Sequence, residues 1–260
     1  MFDRVVVGID GTDWGYEALN QTLELRTDLG LVDAVTVLDT GPSVHAGFQA
    51  AYVAAQLEEE AELVRAKAEQ IIGGRPGCSA RIVRGDAARV LRQACSETDA
   101  TLLALGGRRS SRFLGMMLGD TGTTLLHEAD CSVLIAHPQW GQRWHPHRIV
   151  VGLDGSQPAL GALTVADELS DRLGCIVRVV AAMGGKMIDR GSAWSERVDT
   201  WEPGHPVGVL LDRSIQADLV ILGSRGLHGV RALGSVSERV AHRADSSVLV
   251  VRALAPTGQS

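Results

Sequence analysis

Short apolar runs alternate with helix-like segments along the first half of the chain. Uninterrupted runs of this length, bounded by turn residues, are typical of strands that are buried on both faces of a parallel sheet. The predicted strands are 5–9, 32–38, 79–84, 101–106 and 132–136. The predicted helices are 16–29, 49–72, 87–97 and a last one from about 121. This strict alternation predicts an α/β fold with a doubly wound parallel sheet and right-handed crossovers.

The same pattern begins again at residue 148. Residues 4–19 read RVVVGIDGTDWGYEAL and residues 148–163 read RIVVGLDGSQPALGAL, an offset of 144. Two later matches, 99–109 with 217–226 and 128–137 with 243–252, have offsets of 117 and 115. Self-similarity on this scale indicates two tandem α/β domains, each a mostly five-stranded parallel sheet with flanking helices. The predicted boundaries are 1–138 for domain 1, 139–147 for a linker, 148–254 for domain 2 and 255–260 for a tail.

The second copy is shorter than the first. The fall in offset from 144 to 117 removes 27 residues, and the fall from 117 to 115 removes 2 more. The larger deletion lies where the helix at 49–72 should be, because residues 183–206 follow a predicted helix at 159–173 and a strand at 175–182. We interpret 183–206 as a loop with one short strand around 196–201, since it has little apolar periodicity. The second copy is therefore predicted to lack one covering helix.

Composition and charge restrict the classes of partner. The 260 residues are 45% hydrophobic and 22% charged, as in ordinary globular proteins. A net charge of −6 argues against general binding to nucleic acid or to anionic membranes, and 4% aromatic residues leave few stacking platforms for bases. No apolar stretch is long enough for a signal peptide or a membrane span, and the four cysteines lack C-x-x-C spacing. We expect a cytoplasmic protein with reduced cysteines that binds neither nucleic acid nor membrane.

The predicted linker contains two tryptophans and two histidines. Trp140 and Trp144 are expected to hold the linker against the domains. His145 and His147 can be considered as a pair of metal ligands. Two histidines without further ligands in a proline-containing linker are, however, much more often plain surface residues. No metal site is predicted.

Three elements of each copy are predicted to meet beyond the carboxyl ends of the strands, where open α/β sheets bind ligands. The first is the loop after strand 1, which consists of Asp10, Gly11 and Thr12 in copy 1 and of Asp154, Gly155 and Ser156 in copy 2. The second is the end of strand 2, near 37–39 and 180–182, which includes Ala181. The third is a Gly-rich loop after strand 4 that leads into a helix.

In the second copy this Gly-rich loop lies within 223–239. The glycines that would let backbone amides approach an anion are Gly223, Gly226 and Gly229. A helix then opens at Gly234, Ser235 and Val236, and its free amides and positive dipole end suit a phosphate. A purely structural interpretation of these residues also stays open. Ser235 and Glu238 have the spacing of a capping box, and the glycines could serve only tight turns.

The motifs VVVGIDGT and IVVGLDGS, followed by LGSRG and GSVSERVAHRADSSVLVV, resemble the universal stress protein family in its tandem arrangement, over nearly the whole chain. The resemblance implies an adenine-nucleotide site for ATP, with or without Mg, whose loop runs Gly, two residues, Gly, nine residues, Gly, then Ser or Thr. Gly223, Gly226, Gly234 and Ser235 match these residue types, but only seven residues separate Gly226 from Gly234.

The same resemblance implies where the nucleotide and the second copy would lie. Asp154 would stand beside the nucleotide, and the backbone near 180–182 would meet the adenine. The two copies should pair through their last strands, 132–136 and 247–251, about a pseudo-twofold axis. Whether the tandem forms a further homodimer is left open.

The first copy departs from the family pattern in another way. Gly106 and Gly119 keep the spacing, but Arg109 stands at the second glycine and Asp120 at the Ser/Thr position. Asp is a good N-cap, whereas beside a phosphate two like charges about 4 Å apart repel by about 4 kcal/mol at an effective dielectric of about 20. Arg108, Arg109 and Arg112 could offset this repulsion, or Arg109 could pair with Asp120 and fill a degenerate site. We hypothesise the second arrangement and therefore favour a nucleotide site in the second copy.

Three functions fit these features. The leading one is a non-catalytic stress protein that responds to adenine nucleotides, with at most slow ATP hydrolysis. The second is a nucleotide-independent interaction scaffold, which the altered loops of both copies support. The third is an adenylyl-transfer enzyme. Against the third, no Ser-Gly-Gly-x-Asp loop follows strand 1 and no lysine stands in either Gly-rich loop.

Overall fold

The computed structural model describes residues 2–39, 50–109, 116–138, 144–184, 192–224 and 234–252. The first repeat contains β1 (Arg4–Ile9), α1 (Asp13–Leu25), β2 (Leu31–Leu38), α2 (Ala50–Ile72), β3 (Cys78–Arg84), α3 (Ala87–Glu97), β4 (Leu102–Gly106), β5 (Arg108–Arg109), β6 (Met116–Met117), α4 (Asp120–Glu128) and β7 (Ser132–Ala136). The second contains β8 (Arg148–Gly152), α5 (Gln157–Leu173), β9 (Ile176–Ala182), a 3-10 helix (Ala193–Arg197), β10 (Thr200–Glu202), α6 (Pro206–Ser214), β11 (Leu219–Gly223), α7 (Ser235–Ala241) and β12 (Ser247–Val251).

Ten strands form one sheet in the order β10-β9-β8-β11-β12-β7-β4-β1-β2-β3. All neighbours within a repeat are parallel, so the predicted α/β fold with a five-stranded parallel sheet in each repeat is confirmed. The two repeats join where β7 and β12 pair antiparallel, with Leu134 opposite Leu249. The strands of the first repeat run in the opposite direction to those of the second. The carboxyl ends of the two sets of strands therefore lie at opposite ends of the sheet along the strand direction.

The strand order places a topological switch point in each repeat. In the first repeat the chain moves outward from β1 to β2 and β3, and then crosses back to β4 and β7 on the other side of β1. The second repeat does the same around β8. Ligands in open α/β sheets bind in the crevice at the carboxyl ends of the strands on either side of such a point, here β1 with β4 and β8 with β11.

Two apolar clusters cover the two faces of the sheet, because alternate residues of a strand point to opposite faces. One cluster includes Leu19 of α1, Leu169 of α5 and Leu249 of β12. The other includes Leu91 of α3 and Leu210 of α6. Each cluster contains residues of both repeats, so the core on each face of the sheet is continuous from one repeat to the other.

The connection between the repeats packs into this core. Trp144 is 2% exposed and lies in the cluster on the α1 side, as expected for a residue that ties the linker down, whereas Trp140 lies outside the described residues. His145 Nδ1 is 2.8 Å from Glu24 Oε1, and its Nε2 is 3.2 Å from the carbonyl oxygen of Leu173. Where the structure describes the chain, no three His, Cys, Asp or Glu side chains are placed to hold a metal ion.

Several element boundaries differ from those predicted. Helix α1 begins at Asp13 rather than at 16, because the Thr12 hydroxyl caps it by accepting from the amide of Gly15 at 3.2 Å. It ends at Leu25 rather than at 29, because Arg26 is extended. The strand predicted around 196–201 is wrong in its first half, where a 3-10 helix ends at Arg197 and β10 begins only at Thr200.

The second repeat lacks a counterpart of α2 among its described residues, in agreement with the predicted trimming. The 3-10 helix lies in its place between β9 and β10. Within the ranges given above, no helix combines the length and the apolar character needed to cross a bilayer.

Candidate functional site

The loop after the first strand has the same internal bonding in both repeats. Asp10 Oδ1 accepts hydrogen bonds from the Thr12 amide at 3.1 Å and from the Thr12 hydroxyl at 2.6 Å. Asp154 Oδ1 accepts from the Ser156 amide and hydroxyl at the same two distances. Both aspartates are exposed, so one carboxylate oxygen holds the turn while the group as a whole remains at the surface.

The glycine inside this turn needs a left-handed backbone. Gly11 has φ +80° and Gly155 has φ +77°, which side chains adopt only at a cost. The two glycines are covered differently. A Cβ at Gly11 would be 2.8 Å from Val64 of α2, whereas a Cβ at Gly155 would be 2.5 Å from the indole of Trp194 in the 3-10 helix.

Close helix packing explains the glycine that ends strand 4 in each repeat. A Cβ at Gly106 would be 2.5 Å from the backbone carbon of Trp14 and 2.6 Å from the Gly15 nitrogen. A Cβ at Gly223 would be 2.2 Å from the backbone carbon of Pro158. Both glycines therefore let the first turn of α1 or α5 lie directly against the end of strand 4, a role that requires no ligand.

The start of α7 joins this arrangement through a serine that the sequence analysis missed. Ser237 is 5% exposed, and its hydroxyl donates to the Gly223 carbonyl oxygen at 2.9 Å. Since Gly223 also contacts α5, the end of β11 and the starts of α5 and α7 meet at one place. The sequence feature that could have identified Ser237 is a small polar residue on the side of a short helix that faces the sheet.

The capping-box interpretation of Ser235 is wrong. Gly234 is the N-cap of α7, and Ser235 is the first helical residue and exposed. The hydroxyl of Ser235 is therefore not in the N-cap position, and with Val236 it lies in the first turn. The first repeat has the same order, with Gly119 as N-cap and Asp120 in the first turn of α4, so the expected N-cap role of Asp120 is wrong too. A negative charge there still suits the helix dipole.

Other predicted site residues are placed as follows. Ala181 is 1% exposed and lies opposite Trp201 in the β9–β10 pair. Gly226 and Gly229 lie outside the described residues. The backbone of Arg109 pairs with Met116 in the two-stranded β5–β6 sheet, but its side chain lies outside the description, so its pairing with Asp120 stays a hypothesis.

Next to the turn after the first strand, Tyr16 is a titratable group with a shifted pKa. Burial, followed by the charges of Asp10 and Asp13, raises the pKa of Tyr16 above its usual value. The ammonium of Lys67 lies 3.9 Å from the centre of the Tyr16 ring. Tyr16 therefore keeps its proton at neutral pH and serves as a packed, neutral side wall of the first turn rather than as a base.

The order of elements, the repeated Asp-Gly turn and the helix that follows the Gly-rich loop have a counterpart in a known family. The family model of the Universal stress protein family matches residues 1–137 and 193–252. The chain belongs to this family. The gap in the match, 138–192, includes the linker, β8, α5, β9 and the first part of the region in which the second repeat is trimmed.

Individual relatives support the same assignment. The chain is 33% identical over 187 residues to "Universal stress protein Rv2623" of Mycobacterium tuberculosis, a match that covers 59% of this chain and 62% of that protein. It is 26% identical over 184 residues to "Universal stress protein Rv2005c" of the same species, with the same coverage. The chain thus spans less than two thirds of the length of these relatives.

A solved structure shares the complete fold. A universal stress protein from Archaeoglobus fulgidus DSM 4304 superposes with a TM-score of 0.75 at 21% identity, covering 97% of this chain and 99% of that one. At this identity the likeness concerns the fold alone.

Proposed function

We propose that the chain is an adenine-nucleotide-binding universal stress protein, without turnover of a second substrate, and that the nucleotide, ATP with Mg, binds in the second repeat. The observation that carries the proposal is the junction at Gly223, where the end of β11 meets the starts of α5 and α7. This junction lies at a topological switch point, the usual place of nucleotides in open α/β sheets. Membership of the family provides the stress-response role as an expectation.

The first turn of α7 favours the second repeat over the first. Ser235 is exposed there and carries a hydroxyl that can donate to a phosphate oxygen, whereas Asp120 carries a negative charge at the equivalent place in α4. A carboxylate about 4 Å from a phosphate costs about 4 kcal/mol of repulsion at an effective dielectric of about 20. In this proposal Asp154 lies beside the nucleotide, and the backbone around Ala181 meets the adenine.

Calorimetric titration with Mg-ATP, after bound nucleotide has been stripped, tests the proposal. We expect one site per chain, and we expect Ser235→Asp to abolish it. That substitution should leave the fold intact, because an acidic residue in the first turn of a helix is favourable. The matched control is Asp120→Ser, which makes the opposite change in the first repeat and should not lower the affinity.

A second pair of variants tests the loop after strand 1. Asp154→Asn and Asp10→Asn disturb turns with the same hydrogen-bond distances. Weaker binding only in Asp154→Asn would support a site in the second repeat, and weaker binding only in Asp10→Asn would move it to the first. Absence of heat, and of competition by AMP or ADP, would refute nucleotide binding.

An interaction scaffold is the second candidate function. It is favoured by the packing roles of Gly106 and Gly223, since both glycines are required even if no ligand binds. The titration separates the two candidates, because a scaffold of this kind gives no heat with Mg-ATP in the parent chain or in any of the four variants.

A further inference from the structure

Two half-buried indoles lie next to each other at the outer edge of the second repeat. Trp194 belongs to the 3-10 helix, and Trp201 belongs to β10, the edge strand on this side of the sheet. Their ring centroids are 5.8 Å apart and the rings are tilted by 46°. Neither residue is fully buried, so part of this aromatic surface is open to a ligand. We refer to these two side chains as the tryptophan pair.

The tryptophan pair lies beside both elements to which the proposed function assigns the nucleotide. A Cβ at Gly155 would be 2.5 Å from Cε2 and 2.6 Å from Nε1 of Trp194, so this indole rests on the turn after β8. Trp201 stands opposite Ala181 in the parallel β9–β10 register. Because β8 and β9 are direct neighbours in the sheet, the two indoles line one continuous stretch of its carboxyl edge.

The 3-10 helix that carries Trp194 is fixed on two sides. Arg197, at its end, donates through Nη2 to both carboxylate oxygens of Asp167 in α5, at 2.8 and 2.9 Å. Two residues further on, the Asp199 carboxylate accepts from the Val179 amide at 2.8 Å, and the Asp199 amide donates to the Val179 carbonyl oxygen at 3.0 Å. Trp194 is thus held on an element that is tied to α5 and to β9. A ring positioned in this way loses little conformational freedom when it binds a ligand.

The indole N–H of Trp194 has no hydrogen-bond acceptor in the part of the chain that the structure describes. An indole N–H that is removed from water usually has a partner. Since Nε1 is among the atoms closest to Gly155, this donor lies at the turn, where a bound ligand can accept from it. In the first repeat the side chain that covers Gly11 is Val64, which has neither a donor nor an aromatic ring.

We propose that the tryptophan pair is the base-binding wall of the second-repeat site. The base of the bound nucleotide packs on the rings of Trp194 and Trp201, and Trp194 Nε1 donates to the ligand. This assignment rests on the proposed function and adds to it the part of the ligand that is recognised. Aromatic side chains hold bases through their π-faces. The site should therefore distinguish a nucleotide from a polyphosphate without a base.

Calorimetric titration with two ligands separates binding of the base from binding of the phosphates. Mg-ATP carries both, and Mg-tripolyphosphate carries only the phosphates. Trp194→Leu should weaken Mg-ATP binding by about 5- to 100-fold, the usual effect of losing one stacked aromatic ring, and should leave the affinity for Mg-tripolyphosphate nearly unchanged. Trp194→Phe keeps a ring without the N–H and should weaken Mg-ATP binding less. Equal weakening of both ligands in Trp194→Leu would mean that Trp194 only supports the turn, and would overturn the proposal.

Tryptophan fluorescence of the unmodified chain gives a second test that does not depend on a variant. We expect Mg-ATP to quench the emission and Mg-tripolyphosphate to leave it unchanged. The quenching should largely disappear in Trp194→Phe and persist in Trp14→Phe. Trp14 is the matched control, since it is a half-buried tryptophan in the first turn of α1, beside the corresponding turn of the first repeat. Loss of quenching in Trp14→Phe but not in Trp194→Phe would place the base in the first repeat and overturn the proposal.

Two further outcomes separate the tryptophan pair from the nucleotide site as a whole. Heat of Mg-ATP binding in the parent chain, with the same affinity in Trp194→Leu and no change in tryptophan emission, would leave the nucleotide site standing and overturn the base-binding wall. Absence of heat in the parent chain would refute nucleotide binding and the base-binding wall together.

Discussion

Trp194 covers Gly155 so closely that a Cβ added to the glycine would lie 2.5 Å from indole Cε2. In the first repeat the equivalent Gly11 is covered by Val64, which belongs to the 23-residue helix α2. One large aromatic side chain on a five-residue 3-10 helix thus replaces part of helix α2, which has no counterpart among the described residues of the second repeat. The trimmed repeat keeps its turn because Trp194 fills the space above it.

Trp194→Ala should therefore destabilise the protein more than Val64→Ala. Trp194 is half-buried and packs at 5.8 Å, centroid to centroid, against Trp201, so we expect a loss of about 2–3 kcal/mol in the free energy of unfolding. Val64→Ala removes two methyl groups and should cost about 1 kcal/mol. Urea unfolding followed by circular dichroism measures both. Equal losses would mean that Trp194 does not support the turn.

Arg172 should stabilise helix α1 from the other repeat. Its guanidinium donates to the carbonyl oxygens of Glu24, Leu25 and Arg26, while the last turn of α1 has no basic residue of its own. Arg172→Gln should lower the free energy of unfolding by about 1–2 kcal/mol, because charged donors at a helix C-terminus are favourable. The control is Arg197→Gln, which breaks an exposed ion pair with Asp167 and should cost less than about 1 kcal/mol.

The seam between β7 and β12 is predicted to be energetically asymmetric. Ser247 Oγ accepts from the His137 amide at 3.0 Å, and Ser132 Oγ accepts from the Arg252 amide in the pseudo-equivalent contact. Ser247 alone also donates to the buried Gln21 Oε1, at 2.8 Å. Ser247→Ala should therefore cost about 1 kcal/mol more than Ser132→Ala.

A double-mutant cycle with Gln21→Leu isolates this hydrogen bond. The coupling between positions 21 and 247 should account for most of the difference between the two serine variants. If Ser132→Ala is the more damaging change, or the coupling is absent, the buried Gln21–Ser247 bond does not carry the asymmetry.

Stability should rise with pH around the His242 transition. Burial lowers the pKa of His242, an effect that Glu238 opposes and His127 reinforces. Since the folded pKa is below 6.5, the unfolded chain binds the proton more readily, and the stabilising contribution is present above about pH 6.5 and lost as the pH falls. Glu238 and His127, whose side chains lie 3.3 Å apart, are the titratable neighbours that act on His242.

Urea unfolding at about pH 5.5 and about pH 7.5 checks this sign. His242→Gln should reduce the dependence of the unfolding midpoint on pH, whereas His147→Gln, at an exposed position, should leave it nearly unchanged. A stronger pH dependence in His242→Gln than in the parent chain would contradict the assignment.

The order of strands and helices followed from the sequence because buried parallel strands must be short and apolar on both faces. Helix α3 and strand β7 have the predicted limits, and the shift in offset predicted that the described part of the second repeat would have no counterpart of α2. The 3-10 helix was missed because it is too short for a periodic pattern and its main anchor is a single side chain, Trp194.

The candidate site was predictable only in its outline. The Asp-Gly turns and the position of the Gly-rich loop were visible as repeated motifs. The role of Gly223 was not, because it depends on the contact with Pro158 on another element. Arg172 was missed for the same reason, since the carbonyl oxygen of Leu25 lies 147 positions away in the sequence.

The antiparallel join of β7 and β12 also determines what each half would be if it stood alone. All five residues of each of these strands are buried. A fragment that ended before the linker, or one that began after it, would present a bare apolar edge with unpaired amides and carbonyls, the kind of edge that associates with other chains. Severing the linker of the intact protein should therefore yield a nicked but still paired molecule, and expressing either half by itself should yield dimers or aggregates.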